Sequence, residues 1–281
     1  MTSTVSRLFA APAPWLMGVV NVTPDSFTDG GRFLAAESAV AHGRALLADG
    51  AHLLDLGGES TAPGRSPIGA AEELARIEPV VRALADEAVL SIDTYHAATA
   101  ERCLELGARM INDVSAMRAD PVMVEVLQRH DCPVVLMHAK DGPLPHATDR
   151  PASFTDALQG VGDFLAERVD FAVKHGIAAE RLVLDPGMGR FVSLDPADSF
   201  RLLEKFELLV ERFRPIPLLI GTSRKGFLGV PMADRDPLSQ LTALIAAAKG
   251  ARFIRTHEVR MARQFLEAWR AMGQPLRSAA D

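Results

Sequence analysis

The sequence predicts a single (β/α)8 barrel, the TIM-barrel fold, with an active site at the carboxyl ends of its strands. Eight short runs, most of them almost continuously apolar, recur along the 281 residues. Such runs are typical of strands buried on both faces, as in parallel sheets. Many of the runs are followed by a polar or Gly-rich turn. Apolar residues spaced three or four apart come next, which indicates helices. This alternation favours one barrel domain over residues 1–281, with its core at about 15–272.

The predicted strands follow one another along the whole chain. They are WLMGVVNV (15–22), HLLDLG (52–57), VLSID (89–93), RMINDV (109–114), PVVLMH (133–138), RLVLDPG (181–187), PLLIGTS (217–223) and RFIRTH (252–257). Helical spacing is clear over 74–84, 158–172, 238–245 and 259–269. The alternative fold is a doubly wound open sheet, whose dinucleotide-binding version carries GxGxxG after its first strand. Here the first strand leads into NVTPDSFTDGG instead, so the barrel is favoured.

Composition and charge exclude several classes of protein. The formal net charge of −6, with 48% hydrophobic and 23% charged residues, is ordinary for a globular enzyme and unlike a disordered chain or a nucleic-acid binder. Two cysteines, Cys103 and Cys132, form neither a disulfide framework nor a zinc motif, which favours a reducing compartment. Neither a signal peptide nor a membrane helix is predicted. We therefore expect a cytoplasmic protein that binds neither membrane nor nucleic acid.

Polar side chains stand at the carboxyl end of every predicted strand. They are Asn21, Asp55, Asp93, Asn112 with Asp113, His138, Asp185, Ser223 with Arg224 and Lys225, and Arg255 with His257. Any one of them could cap a helix or close a turn. Because the carboxyl ends of the strands of a barrel meet at one mouth, the whole set predicts an active site.

The residue types at this mouth indicate the chemistry of the ligand. Arg255, His257 and Lys225 offer hydrogen-bond donors to an anion, most simply a phosphate. The carboxylates and Asn112 suit a heterocycle with ring N–H and amino donors. Asn21 and a phosphate could share Mg²⁺, which keeps several waters and takes few protein ligands. The residues alone therefore predict a phosphorylated, nitrogen-rich heterocycle, without naming it.

Eight segments of the chain closely resemble the dihydropteroate synthases, a family of folate-pathway enzymes. They occur in family order from Met17 to about Trp269: MGVVNVTPDSFTDGG, DLGGESTAPG, SIDT, INDVSA, VVLMH, LVLDPGMG, GTSRKGFLG and IRTHEV. The resemblance implies a transferase that joins 7,8-dihydropterin-6-ylmethyl diphosphate to 4-aminobenzoate and releases pyrophosphate. It also implies Mg²⁺ as cofactor, inhibition by sulfonamides, and a homodimer paired through late helices. The apolar stretch LTALIAAAKG (241–250) could serve that pairing or simply cover the barrel.

The resemblance also assigns roles to single residues. Lys225, Arg255 and Asp93 are expected to be catalytic, and Asn21 is expected to contribute to the magnesium and diphosphate site. The expected substrate-binding residues are Thr61, Asp93, Asn112, Asp185, Lys225, Arg255 and His257. Asp55, His138, Ser223 and Arg190 are further candidates.

Some positions depart from the family pattern. Ala62 replaces the usual Arg of the second loop, and Gly226 follows the Lys where a serine is common. In the sixth loop Arg190 stands where an aromatic wall is expected, Val192 replaces a Lys, and Phe191 could refill the wall by a shift of one residue. The pterin half of the site is therefore predicted to be intact and the aminobenzoate half altered. Two alternatives follow: a transferase with another acceptor, such as a methyltetrahydrofolate methyltransferase-like enzyme, or a pterin binder without turnover.

Overall fold

The computed structural model describes residues 14–22, 29–59, 66–142, 148–152 and 154–276. Its strands are β1 (Trp15–Asn21), β2 (Leu53–Gly57), β3 (Leu90–Asp93), β4 (Met110–Asp113), β5 (Val134–Met137), β6 (Leu182–Asp185), β7 (Leu219–Ile220) and β8 (Phe253–Thr256). Its helices are α1 (Asp29–Ala48), α2 (Ala70–Leu84), α3 (Ala97–Glu105), α4 (Met123–Arg129), α5 (Ala157–Lys174), α6 (Pro196–Glu204), α7 (Phe206–Phe213), α8 (Arg235–Ala248) and α9 (Val259–Ala271).

The eight strands form one parallel sheet in the order β6-β5-β4-β3-β2-β1-β8-β7. A parallel bridge between Leu184 and Leu218 joins its two edges, so the sheet closes on itself. The predicted (β/α)8 barrel is confirmed, and each strand lies within its predicted run. Both faces of every strand are covered, which is why the runs are continuously apolar rather than alternating.

The inside of the barrel explains where the site residues come from. One inward-facing cluster fills the barrel: Trp15, Met17, Leu53, Met110, Val135, Val183, Leu219 and Phe253. Because side chains alternate along a strand, the residue two positions later faces the same way. Asp55, Asn112, Asp185 and Arg255 each follow a member of this cluster by two residues. The apolar cluster thus forms the floor on which the polar layer lies.

Helix α8 presents two different faces. Its inner face covers the barrel through small residues, including Ala243, Ala246 and Ala247. The apolar spacing that predicts this helix includes Leu241 and Ile245, yet these side chains are 45% and 38% exposed. The apolar stripe read from the sequence is therefore partly directed outward. No helix among the described residues is long and apolar enough to span a bilayer.

Candidate active site

A cavity of about 650 Å³ opens at the carboxyl ends of the strands. Seven of the candidate residues line it: Asn21, Asp93, Arg190, Ser223, Lys225, Arg255 and His257. Asp55, Asn112 and Asp185 are buried in the same polar layer, joined to Arg255 or its neighbours. The structure therefore brings together most of the residues that the strand ends predicted.

Arg255 is the centre of the polar layer. Its Nε donates to Asp55 Oδ2 at 2.6 Å, and one terminal nitrogen donates to Asp93 Oδ2 at 2.7 Å. Asn112 Nδ2 donates to the same Asp55 oxygen at 3.0 Å. The other oxygen, Asp55 Oδ1, is buried and has no hydrogen-bond partner among the described residues. One guanidinium thus orients carboxylates from two strands, and the side chain of Asp93 borders the cavity.

Burial sets the protonation of the site. It raises the pKa of Asp93 to about 7, against the opposing charge of Arg255 and with the nearby carboxylate of Asp55 adding to the rise. It raises the pKa of Asp185 to about 6, opposed by the N–H of Gly187 and by Lys225. It lowers the pKa of Lys225 to about 8. Because burial disfavours the ionised form of these carboxylates, a ligand with N–H groups would stabilise that form by supplying further hydrogen-bond donors.

The loop after β6 fixes Asp185. Its Oδ1 accepts a hydrogen bond from the N–H of Gly187 at 2.8 Å. Gly187 has a φ of +67°, and a Cβ added there would lie 2.4 Å from the carbonyl oxygen of His138. Only glycine satisfies both the left-handed conformation and this approach. The Asp-Pro-Gly sequence is thus a tight turn that presses the sixth loop against the fifth and holds the carboxylate.

His257 is a neutral hydrogen-bond donor rather than a cation. Burial, together with the nearby charges of Arg255 and Arg224, lowers its pKa to about 3. Ser223 Oγ lies 2.9 Å from His257 Nδ1 and also accepts the backbone N–H of His257 at 3.2 Å. When the Ser223 hydroxyl donates to Nδ1, the proton of the neutral imidazole lies on Nε2. In that tautomer His257 offers an N–H donor beside the cavity.

The sixth loop supplies an aromatic wall from a shifted position. Phe191 lines the cavity, and Lys225 Nζ lies 4.3 Å from its ring centre. Arg190 also borders the cavity, but its guanidinium forms an exposed ion pair with Asp149. Val192 is completely buried in the core, where the ammonium group of a lysine could not be solvated. The shift of one residue that the sequence suggested places Phe191 against the ammonium of Lys225.

His138 is not part of the cavity, contrary to our expectation. Its ring packs edge-on against Phe164 of α5, with 5.0 Å between centres, and Nδ1 has no partner among the described residues. Burial lowers its pKa to about 3. Met137 belongs to the cluster near the mouth, so the next residue along the chain faces the helices instead. Thr61 and Ala62 lie outside the described residues.

Glu59 is a cavity residue that the sequence reasoning did not single out. It accepts hydrogen bonds from Tyr95 Oη at 2.8 and 3.0 Å, and His96 Nε2 lies 3.7 Å away. The signal was available, because Glu59 lies two residues after the strand that ends at Gly57, within the predicted second loop GGESTAPG. A carboxylate held from the third loop therefore fixes the start of the second loop.

Comparison with known proteins gives consistent matches. The model of the pterin-binding enzyme family matches residues 17–257. The dihydropteroate synthase of Bacillus subtilis is 34% identical over 92% of this chain and 88% of its own length. The type-2 dihydropteroate synthase of Escherichia coli is 38% identical over 93% of this chain and 97% of its own length.

Solved structures agree with the sequence matches. The Xanthomonas albilineans dihydropteroate synthase with 4-aminobenzoic acid is 39% identical, with a TM-score of 0.83 over 93% of this chain and 94% of that one. The same enzyme in complex with 7,8-dihydropteroate is 38% identical, with a TM-score of 0.79 over the same shares of the two chains.

Proposed function

Since the chain belongs to the family of pterin-binding enzymes and has dihydropteroate synthase function in folate biosynthesis, we propose that the cavity at the barrel mouth performs this reaction. The observation that supports this site best is the joining of Asp55, Asp93 and Asn112 through Arg255 beneath a cavity that Lys225 also lines. Carboxylates and cations converge there from strands far apart in sequence.

The pterin ring binds in the polar layer. Asp93 and Asp185 accept hydrogen bonds from its amino and ring N–H groups. The amide of Asn112 accepts from one group of the ring and donates to another. Lys225, which keeps its proton at neutral pH with a pKa of about 8, donates to an acceptor on the ring. The carboxylates are largely buried before the ligand binds, so forming these bonds costs little further desolvation. The bonds then fix the orientation of the ring.

The diphosphate lies outside the ring, toward Arg255 and His257. Arg255 stays charged because the carboxylates of Asp55 and Asp93 outweigh its burial and raise its pKa. The Nε2–H of His257 supplies a second donor without adding charge. Both groups stabilise the negative charge that grows on the departing diphosphate.

Asn21 fits a magnesium site that is completed by the substrate. Its side chain lies at the end of β1, exposed to the cavity, and offers one amide oxygen. The described residues contain no group of three or more His, Cys, Asp or Glu side chains able to hold a metal alone. Mg²⁺ commonly takes one or two protein oxygens together with phosphate oxygens and water. When bound, the metal would neutralise charge on the diphosphate.

The acceptor, 4-aminobenzoate, lies beside the ring of Phe191 in the outer part of the cavity. Its amine nitrogen forms a bond to the exocyclic methylene carbon of the pterin. The bond from that carbon to the diphosphate oxygen breaks, its electron pair stays on the oxygen, and the proton of the amine passes to water or to the departing diphosphate. The chain therefore acts by positioning and electrostatics, and no protein nucleophile is required.

Assembly and location complete the proposal. Leu241 and Ile245 lie one turn apart on the outer side of α8 and form an outward apolar surface. We assign this surface to pairing of two subunits, since exposed apolar groups side by side favour association. Cys103 and Cys132 are both buried free thiols, which agrees with a reducing cytoplasm.

Pyrophosphate release tests the proposal. The purified chain is mixed with pterin diphosphate, Mg²⁺ and 4-aminobenzoate, and each component is omitted in turn. Release that requires all three supports the proposed reaction. Release without 4-aminobenzoate would indicate another acceptor, and pterin binding without release would indicate a binder rather than an enzyme.

A further inference from the structure

We propose that Arg224 is a positioning residue that clamps the loop after β7 to the loop after β8 and so directs Lys225 into the cavity. This inference rests on the proposed function of the site. Arg224 itself borders the cavity, but its guanidinium is directed to two carboxylates, Asp236 and Glu258. Neither carboxylate lines the cavity among the described residues.

The backbone at Arg224 adopts a conformation that needs support. Its φ is 58°, in the left-handed region that costs an ordinary residue free energy. The following residue, Lys225, returns to an extended conformation. Because Arg224 is left-handed and Lys225 is extended, their side chains point in different directions. Arg224 contacts Asp236 and Glu258, whereas Lys225 lines the cavity. Such a turn persists where the surroundings hold it in place.

Every polar group of Arg224 is held by a neighbour. Its backbone N–H donates to Ser239 Oγ at 3.0 Å, and its carbonyl oxygen accepts from Arg235 at 3.0 Å. Its guanidinium binds both oxygens of Asp236, at 2.8 and 3.0 Å. The same guanidinium donates to Glu258 at 2.7 Å. The left-handed turn is thus fixed from both its backbone and its side chain.

The two carboxylates belong to different elements. Asp236 lies in the first turn of α8, whereas Glu258 directly follows His257 after β8. On the other side of the turn, Ser223 directly precedes Arg224 and contacts His257. One guanidinium therefore fixes the distance between the loop that carries Lys225 and the loop that carries His257. Three half-buried charges at the rim, Arg224, Asp236 and Glu258, thus set the geometry of two groups inside the cavity.

The position of Lys225 has a measurable consequence. Asp185, Arg255 and Asp93 are the charged groups that face its ammonium, and burial among them lowers its pKa to about 8. If the clamp is released, Lys225 can turn toward water, where the pKa of a lysine is about 10.4. The pKa of this amine therefore reports whether the clamp holds.

The test compares Arg224→Gln with the conservative Arg224→Lys and with a control, Arg44→Gln. Arg44 makes a similar paired contact with Glu87 at 2.9 and 2.7 Å on the surface, remote from the cavity in sequence and fold. The reactivity of each amine toward acetic anhydride is measured against pH by mass spectrometry. The chain has five lysines, so Lys225 is followed with the exposed Lys174 as internal reference. Steady-state rates of pyrophosphate release are measured in parallel.

We expect Arg224→Gln to shift the pKa of Lys225 upward by one unit or more and to lower kcat/KM by about 10- to 100-fold, as misplacement of a binding group does. Arg224→Lys, which can reach one carboxylate, should recover part of both effects, and Arg44→Gln should change neither. Should Arg224→Gln fail to fold, Asp236→Asn removes the main partner and is expected to shift the pKa in the same direction.

An unchanged pKa of Lys225 in the Gln variant would overturn the proposal, whatever happens to the rate. An effect of equal size in Arg44→Gln would overturn it as well. The labelling experiment needs no substrate, so it remains decisive even if the wild-type chain releases no pyrophosphate, a result that would count against the proposed function instead.

Discussion

Replacing Arg255 with glutamine should destabilise the folded chain and abolish turnover, because the change leaves two buried carboxylates without their cation. Arg255 donates to Asp55, which is completely buried, and to Asp93, whose side chain is 17% exposed. Glutamine keeps a donor and much of the volume. It does not keep the charge or the fork that reaches both oxygens.

The magnitude follows from the burial of the network. Removing one partner of a buried ion pair costs about 3–5 kcal/mol, since the remaining charge stays uncompensated. An exposed pair is worth about 1 kcal/mol or less. Arg129, 48% exposed and paired with Glu101, provides the matched control. At pH 8 we therefore expect a loss of about 3–5 kcal/mol for Arg255→Gln and less than about 1 kcal/mol for Arg129→Gln.

The loss should depend on pH in a definite direction. The pKa of Asp93 is about 7 in the folded chain and 3.8 in its ordinary state, so the folded state binds more protons between these values. A group of this kind contributes stability that is present at pH 4 and is lost as the pH rises through 7. Without Arg255 the pKa of Asp93 rises further. The variant should therefore be closest to the wild type near pH 5.

Urea unfolding, followed by the fluorescence of the two tryptophans and by circular dichroism, measures these differences at pH 5 and pH 8. The double variant Arg255→Gln with Asp93→Asn should regain part of the stability at pH 8, because one of the two uncompensated charges is gone and only Asp55 remains. If Arg255→Gln costs no more than Arg129→Gln at pH 8, the buried network does not have the role assigned to it.

Three further predictions concern the ligands. Asp185→Ala should abolish pterin binding, whereas Asp185→Asn should weaken it by about 1.5–3 kcal/mol, the value of a charge-assisted hydrogen bond; calorimetry with a pterin diphosphate analogue measures both, and wild-type affinity in the alanine variant would contradict the assignment. Asn21→Ala should raise the Mg²⁺ concentration needed for turnover while pterin without diphosphate still binds; full activity in excess chelator would exclude the metal. Phe191→Ala should raise KM for 4-aminobenzoate and weaken sulfonamide inhibition, each by roughly 0.5–1.5 kcal/mol beyond the lost burial; the matched Arg190→Ala, which removes an exposed pair, should change them less, and equal effects would show that the wall is not Phe191.

The sequence was sufficient for the barrel and for most of the polar layer. Strands buried on both faces are continuously apolar, and their polar ends are visible because polarity begins where the core ends. The order of the inward-facing residues then follows from alternation, as in Val183 before Asp185 and Phe253 before Arg255. The same alternation, applied to β5, would have shown that His138 faces α5 rather than the cavity.

The contacts between loops could not be predicted in the same way. Glu59 gains its place from Tyr95, and Arg224 from Asp236 and Glu258, through contacts that cross from one βα unit to another. No local pattern marks such pairs, since charged residues near strand ends are common. The placement of Phe191 also depends on tertiary packing, because Val192 is drawn into the core and directs the residue before it toward the cavity.

The identity of the product tests the central claim most directly. The purified chain is given pterin diphosphate, Mg²⁺ and isotopically labelled 4-aminobenzoate. The products are then separated and identified by mass spectrometry. The account predicts that the label appears in 7,8-dihydropteroate, with one pyrophosphate released for each labelled molecule, and that Arg255→Gln yields neither. Pterin that binds to the cavity while the label stays entirely in 4-aminobenzoate would contradict the claim.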